Sequence, residues 1–247
     1  MLLVNASVLR NLSCLMQVEG IETMARLEAL NAEKHRALRV RAPVHDGRTF
    51  VQIVVSEFAA AAAICPILFA KFPETGQFYA GAMFGFRPEE PLLTVDDGFV
   101  PLDIERQAFF VSGEEIAVDL DHSRISEAAG EPLFTDDGEP TDHLRRIQLA
   151  LGQLVTGTEA TDTFIRTLLD LKLIEPIDIS LRFDDGETLR LDGLYTISRD
   201  RLQDLDDNDA LRLFRNGHLL LAHTMIASLQ QIRPMAARRN QRLAQGI

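Results

Sequence analysis

The chain has 247 residues, with 25 Lys and Arg against 37 Asp and Glu, for a formal charge of −12; it is 46% hydrophobic and holds two Cys and no Trp. This composition excludes a disulfide scaffold, a collagen-like repeat and a disordered chain. The acidic balance argues against nucleic acid, whose phosphates are held by clustered Lys and Arg.

The charge is segregated along the sequence. Residues 96–142 hold fourteen acidic residues and two basic ones, Arg106 and Arg124, so this window carries the whole excess. Residues 26–48 hold six basic and three acidic residues, and residues 233–247 hold four Arg and no acid.

In chain order, residues 7–30 read as one or two amphipathic helices, with Leu9, Leu12 and Met16 on one face and Ile21, Met24 and Leu27 on another. Ser7 is a suitable N-cap and Gly20 a break. Such helices dock on their own domain, form a homodimer contact or lie on a membrane surface, the last disfavoured by a polar face without the Lys and Arg of a membrane binder. Residues 50–55 have β-branched strand character, and the Ala run of 57–64 prefers helix until Pro66 ends it. Residues 67–71 and 77–86 read as strands, with Gly81 and Gly85 permitting close backbone approach. Residues 109–112 and 116–120 form a hairpin around 113–115.

Asp-Asp-Gly occurs at 96–98, 136–138 and 184–186, and Asp-Gly favours turns in which Gly supplies a positive φ. The third joins strands 177–183 and 188–191 into a hairpin. None of the three has the ligand spacing and closing Glu of a calcium loop, and the acidic run 204–209 lacks them too. Residues 141–154 and 158–173 read as paired helices, followed by helices over 199–205, 209–215 and 218–232. Ser198 and Asn208 are suitable N-caps and Gly217 a C′ residue. Pro234 then ends the last helix and leaves a mobile Arg-rich tail.

Runs of adjacent strands, without regular β-α-β alternation, indicate an α+β fold: a mainly antiparallel sheet with packed helices, its C-terminal half mostly helical around one late hairpin. The expected organisation is a helical extension over 1–29, a single domain over 30–232 and a tail over 233–247. No stretch reaches the roughly 18 apolar residues that span a bilayer. The N-terminus lacks the basic start and unbroken apolar run of a signal peptide. Cys14 and Cys65 form no CxxC. The expected location is therefore cytoplasmic.

No phosphate loop, dinucleotide-binding fingerprint, nucleophile elbow or zinc-protease motif is present. No cofactor and no metal is expected. His218 and His223 are five residues apart, whereas ligands on one helical face prefer four. Asp119, Asp121 and His122 make a polar cluster, read either as a solvated strand end or as an acid/base or metal site. Lys34, His35, Arg36, Arg39 and Arg41 form a basic cluster that either holds a carboxylate or phosphate or is a solvated surface. The candidate binding residues are Lys34, His35, Arg36, Glu57, Tyr195, His218 and His223.

Several segments in fixed order complete this reading. Leu30-Asn-Ala-Glu-Lys-His-Arg-Ala-Leu-Arg39 is followed by Ser56-Glu57-Phe58 and Cys65-Pro66-Ile67-Leu68-Phe69-Ala70-Lys71. Then come Gly85-Phe86-Arg87-Pro88, Gly130-Glu131-Pro132-Leu133-Phe134 and Asp192-Gly193-Leu194-Tyr195. In order and spacing the chain resembles the bacterial SapC family over residues 30–232, with the first 29 residues as an extension. Residues 99–110 are less aromatic than the Tyr- and Pro-rich stretch of that family. The resemblance implies a link to surface-layer protein secretion and to gene neighbours such as TonB-dependent receptors, and it brings no catalytic residues. The leading expectation is a cytoplasmic accessory or binding protein with a protein partner, tied to cell-surface protein export or nutrient uptake. The alternatives are a small-molecule enzyme with an unrecognised site and a homodimeric structural protein built through the N-terminal helices.

Overall fold

Extended segments fill much of residues 27–132, and helices much of the chain from Asp142 onward. These elements are those of a computed structural model describing residues 26–44, 46–88 and 90–245. In chain order they are β1 (Leu27–Ala29), β2 (Arg39–Val40), β3 (Phe50–Gln52), α1 (Phe58–Ala62), β4 (Ile67–Lys71), β5 (Phe78–Met83), β6 (Gly85–Arg87) and β7 (Glu90–Pro91). There follow α2 (Leu102–Glu105), β8 (Phe109–Ser112), β9 (Glu115–Asp119), β10 (Ile125–Ser126), β11 (Glu131–Pro132) and α3 (Asp142–Asp170). The chain continues with β12 (Ile174–Pro176), β13 (Ile179–Arg182), β14 (Thr188–Leu191) and β15 (Tyr195–Ile197). It ends with α4 (Arg199–Gln203), α5 (Asp207–Arg215), α6 (His218–Ser228) and α7 (Ile232–Gln245). The α+β class expected from the sequence is the one observed, and every strand pairing among the described residues is antiparallel.

The chain divides into two compact units. One comprises the described residues up to Val44 together with Leu102–Glu159. Its two small sheets run β1-β9-β8 and β10-β2-β11. Leu144, Ile147 and Leu151, at helical spacing on α3, share its core with Leu38, Val40, Phe109, Val118 and Leu133. The other unit comprises His45–Pro101 and Ala160–Ile247. Its five-stranded sheet runs β12-β15-β4-β5-β3, accompanied by the hairpins β6–β7 and β13–β14. A Cβ on Gly85 of β6 would run into the Glu90 carbonyl, the close backbone approach expected there; at Gly81 of β5 the close neighbour is instead the Phe50 side-chain ring.

Four local expectations are corrected. Leu27–Ala29 is a strand paired with β9, not the end of a helix; residues 7–25 of that expected helix lie outside the described residues. The paired helices of 141–173 are one helix, α3. The hydroxyls of Thr156 and Thr158 donate back to carbonyls of their own helix, at Gly152 and Leu154, so the Thr-Gly-Thr stretch keeps its polar groups satisfied without a break. Asp206, not Asn208, caps α5, its carboxylate accepting from the Asp209 N–H at 2.9 Å. Residues 233–247 are not a mobile tail as far as Gln245: Pro234 sits in the first turn of α7, where its missing N–H costs no helical bond.

The arginines of α7 explain why that segment docks. Arg238 donates to the Leu92 carbonyl at 3.0 Å and to Asp97 at 2.6 Å. Arg239 donates to Glu90 and Glu187, both at 2.9 Å, and stacks on Phe183 at 4.0 Å. Arg242 donates to the Pro91 carbonyl at 2.6 Å. A charge run without acids of its own finds them on β7, on the turn before β14 and beside Gly98.

Candidate functional site

The basic cluster at 34–41 is largely occupied by its own unit. Lys34 donates to the Glu28 carboxylate on β1, and this hydrogen bond, with the charge of Arg26 nearby, holds the Glu28 carboxyl below its ordinary range. His35 is buried; its Nδ1 accepts from the Asn31 N–H at 3.0 Å, and its Nε2 stands 3.4 Å from Glu28. Arg39 and Arg41 donate to the carbonyls of Gly130 and Ser123. Arg36 remains exposed near Gly138. The anion that this cluster holds is therefore chiefly Glu28, six residues before Lys34.

Arg124, one of the two bases in the acidic stretch, has an equally structural place. It is buried and donates to the carbonyls of Arg41, Ile104, Glu105 and Gln107 at 2.9–3.2 Å. Its guanidinium gathers carbonyls at the end of α2, and burial lowers its pKa. Asp119 accepts from the Asp121 N–H, and the His122 Nδ1 accepts from the Arg124 N–H. That polar cluster is thus tied into a turn after β9.

In the other unit, Glu57, Tyr195 and His218 adjoin one row of aromatic rings. Phe58, Phe164, Phe69, Phe78 and Tyr195 follow one another at 4.9–6.4 Å, with the His218 ring 5.4 Å from Phe164. The buried Glu57 carboxylate accepts from the Val54 N–H at 2.9 Å, so it closes the turn before α1. Burial lowers the His218 pKa. Lys71 lies over both Phe78 and Tyr195, at 4.7 and 5.0 Å. Cys65 is buried and accordingly pushed up to about 12, which makes it an inert core thiol.

His223 stands apart from the other six. It is exposed on α6 and lines an open groove of ≈ 880 Å³ with Arg199, at the start of α4, and Arg233, in the first turn of α7. Ile226, Ala227 and Leu229 contribute an apolar floor. The side chains of Arg199, His223 and Arg233 make no hydrogen bond or ion pair among the described residues. Three nitrogen-bearing heads around apolar surface are the chemistry that recognises a carboxylate or phosphate carried on an apolar body.

A family model, SapC, matches residues 30–235. The chain belongs to the SapC family. No curated protein and no solved structure matches it. The SapC match spans both compact units and includes Arg199, His223 and Arg233 of the groove.

Of the seven residues singled out from the sequence, Lys34 and His35 meet at Glu28 and His223 lines the groove. Glu57, Tyr195 and His218 border the aromatic row. Arg199 and Arg233 escaped the sequence reading. The signal for Arg233 was available: positions 223, 226, 227, 230 and 233 share one helical face when the helix runs on toward Pro234. No group of three His, Cys, Asp or Glu among the described residues is arranged to hold a metal ion, and no described helix is long and apolar enough to cross a membrane.

Proposed function

We propose that this SapC-family protein is a cytoplasmic accessory protein that binds a protein partner in cell-surface protein export or nutrient uptake. In this reading the groove of Arg199, His223 and Arg233 receives a segment carrying carboxylates beside apolar side chains. The observation that carries it is the absence, among the described residues, of any side-chain partner for Arg199, His223 and Arg233 around the groove's apolar floor. The basic cluster at Lys34 offers less, because Glu28 already occupies it. The family's association with surface-layer secretion supplies the cellular setting.

Charged rims chiefly steer association and set specificity, while apolar contact holds the complex. Affinity capture from host extract by the full chain, with and without Arg199→Glu and Arg233→Glu, tests this. The reading expects a reproducible partner with an acidic segment, lost in the double variant and weakened by salt. Capture that survives both charge reversal and high salt contradicts it.

A further inference from the structure

Three of the eight exposed large hydrophobic side chains among the described residues fall within ten positions of one another: Leu211 at 44%, Phe214 at 69% and Leu220 at 72% exposure. Leu211 and Phe214 stand on α5, and Leu220 follows on α6, past Gly217. Solvated aromatic side chains of this size are what interfaces use as anchors.

The charges on α5 say what covers them. At 100° per residue, Asp207, Leu211, Phe214 and Arg215 share the outward face, while Leu213 is buried on the opposite side. Arg212 is paired with Asp209 of the same helix at 3.3 Å. Asp207 and Arg215 make no side-chain hydrogen bond or ion pair among the described residues. The face thus reads free acid, apolar pair, free base, and Leu211 lies midway between the two charges. Such a face is complementary to itself when reversed. A twofold axis at Leu211 sets Asp207 of one α5 against Arg215 of the second copy, and the reverse, with the Leu211 and Phe214 side chains closed between them. This is the isologous contact of a twofold dimer.

We infer that the α5 face carrying Asp207, Leu211, Phe214 and Arg215 is a homodimer interface, with two antiparallel α5 helices at its centre. It is separate from the Arg199–His223–Arg233 groove and does not rest on the function proposed for it. One helix face makes a small contact compared with the roughly 1,200–2,000 Å² of stable interfaces, so the dimer is reversible and depends on concentration.

Sedimentation equilibrium on the full chain tests the inference. The wild-type chain should rise from monomer to twice its mass with concentration. Phe214→Asp, at an exposed site that leaves the fold intact by circular dichroism, should raise the dissociation constant at least about tenfold. Asp207→Arg and Arg215→Asp should each be monomeric alone, and an equimolar mixture of the two should form a heterodimer, because each reversed charge then meets its opposite. A wild-type chain that stays monomeric, a dimer indifferent to these changes, or a mixture that fails to associate overturns the inference.

Discussion

Arg239 of α7 donates to Glu187, in the turn before β14, at 2.9 Å, across 52 positions of sequence. The same guanidinium reaches Glu90 and covers the Phe183 ring, while its own side chain is only 4% exposed. Arg239→Ala leaves Glu90 without its cation, leaves Glu187 with Arg87 alone, and opens a gap over Phe183. Because Glu90 and Glu187 keep partial contact with solvent, the expected loss of stability is about 2–3 kcal/mol, less than for a fully buried pair. Urea unfolding gives the value, and a loss below about 0.5 kcal/mol, the scale of surface substitutions, would show that α7 does not clasp its unit through this residue.

Arg124 holds four backbone carbonyls with one side chain. Arg124→Leu keeps much of the volume and removes every donor, so the carbonyls of Ile104, Glu105 and Gln107 lose bonds in a buried place. The expected cost is about 3–5 kcal/mol, since unmade buried polar groups carry a full desolvation penalty. Amide exchange should quicken first around α2 and at the β2–β10 pairing. Stability near wild type, with exchange around α2 and the β2–β10 pairing unchanged, is the opposing result.

Burial holds the imidazoles of His143 and His218 below the ordinary histidine value of 6.5, with Arg146 adding to the effect at His143. Between the folded and unfolded values the unfolded chain binds more protons at these sites. Stability therefore falls as pH drops below about 6.5, and the loss is complete once both states are protonated. A depressed carboxylate acts at lower pH. Partial burial pushes Asp97 up, but the Thr94 N–H and Arg238 lower it on balance, so its contribution fades as pH falls through the acid range. Asp162 is raised by burial and works in the opposite sense. Urea midpoints should be lower at pH 5.5 than at 7.5, with the difference reduced in His143→Gln and His218→Gln. An unchanged difference in both variants would assign the effect to other groups.

The parts of the fold visible in the sequence are those decided by neighbours. Asp184-Asp185-Gly186 places the turn of the β13–β14 hairpin, because Gly186 supplies a φ of 86° and the flanking residues alternate. Gly217, at φ 75°, likewise closes α5. What stayed hidden depends on distant partners. Four arginines without an acid look like a tail until Asp97 meets Arg238, Glu90 and Glu187 meet Arg239, and the Pro91 carbonyl meets Arg242. The Lys34 cluster looks like an open anion site until β1 brings Glu28 to it. In the groove, His223 and Arg233 share a helical face that the sequence carries, whereas Arg199, more than twenty positions earlier, joins them only in the folded chain.

The groove is the centre of the functional account, and a photo-cross-linking side chain at Ala227, exposed on its floor, tests it most directly. In the host cell this position should give a discrete adduct whose partner peptide is acidic and partly apolar. The adduct should disappear with Arg199→Glu and Arg233→Glu while the fold is retained. An Ala227 probe that captures nothing beyond what the same probe captures at the exposed Asp192 would contradict the account.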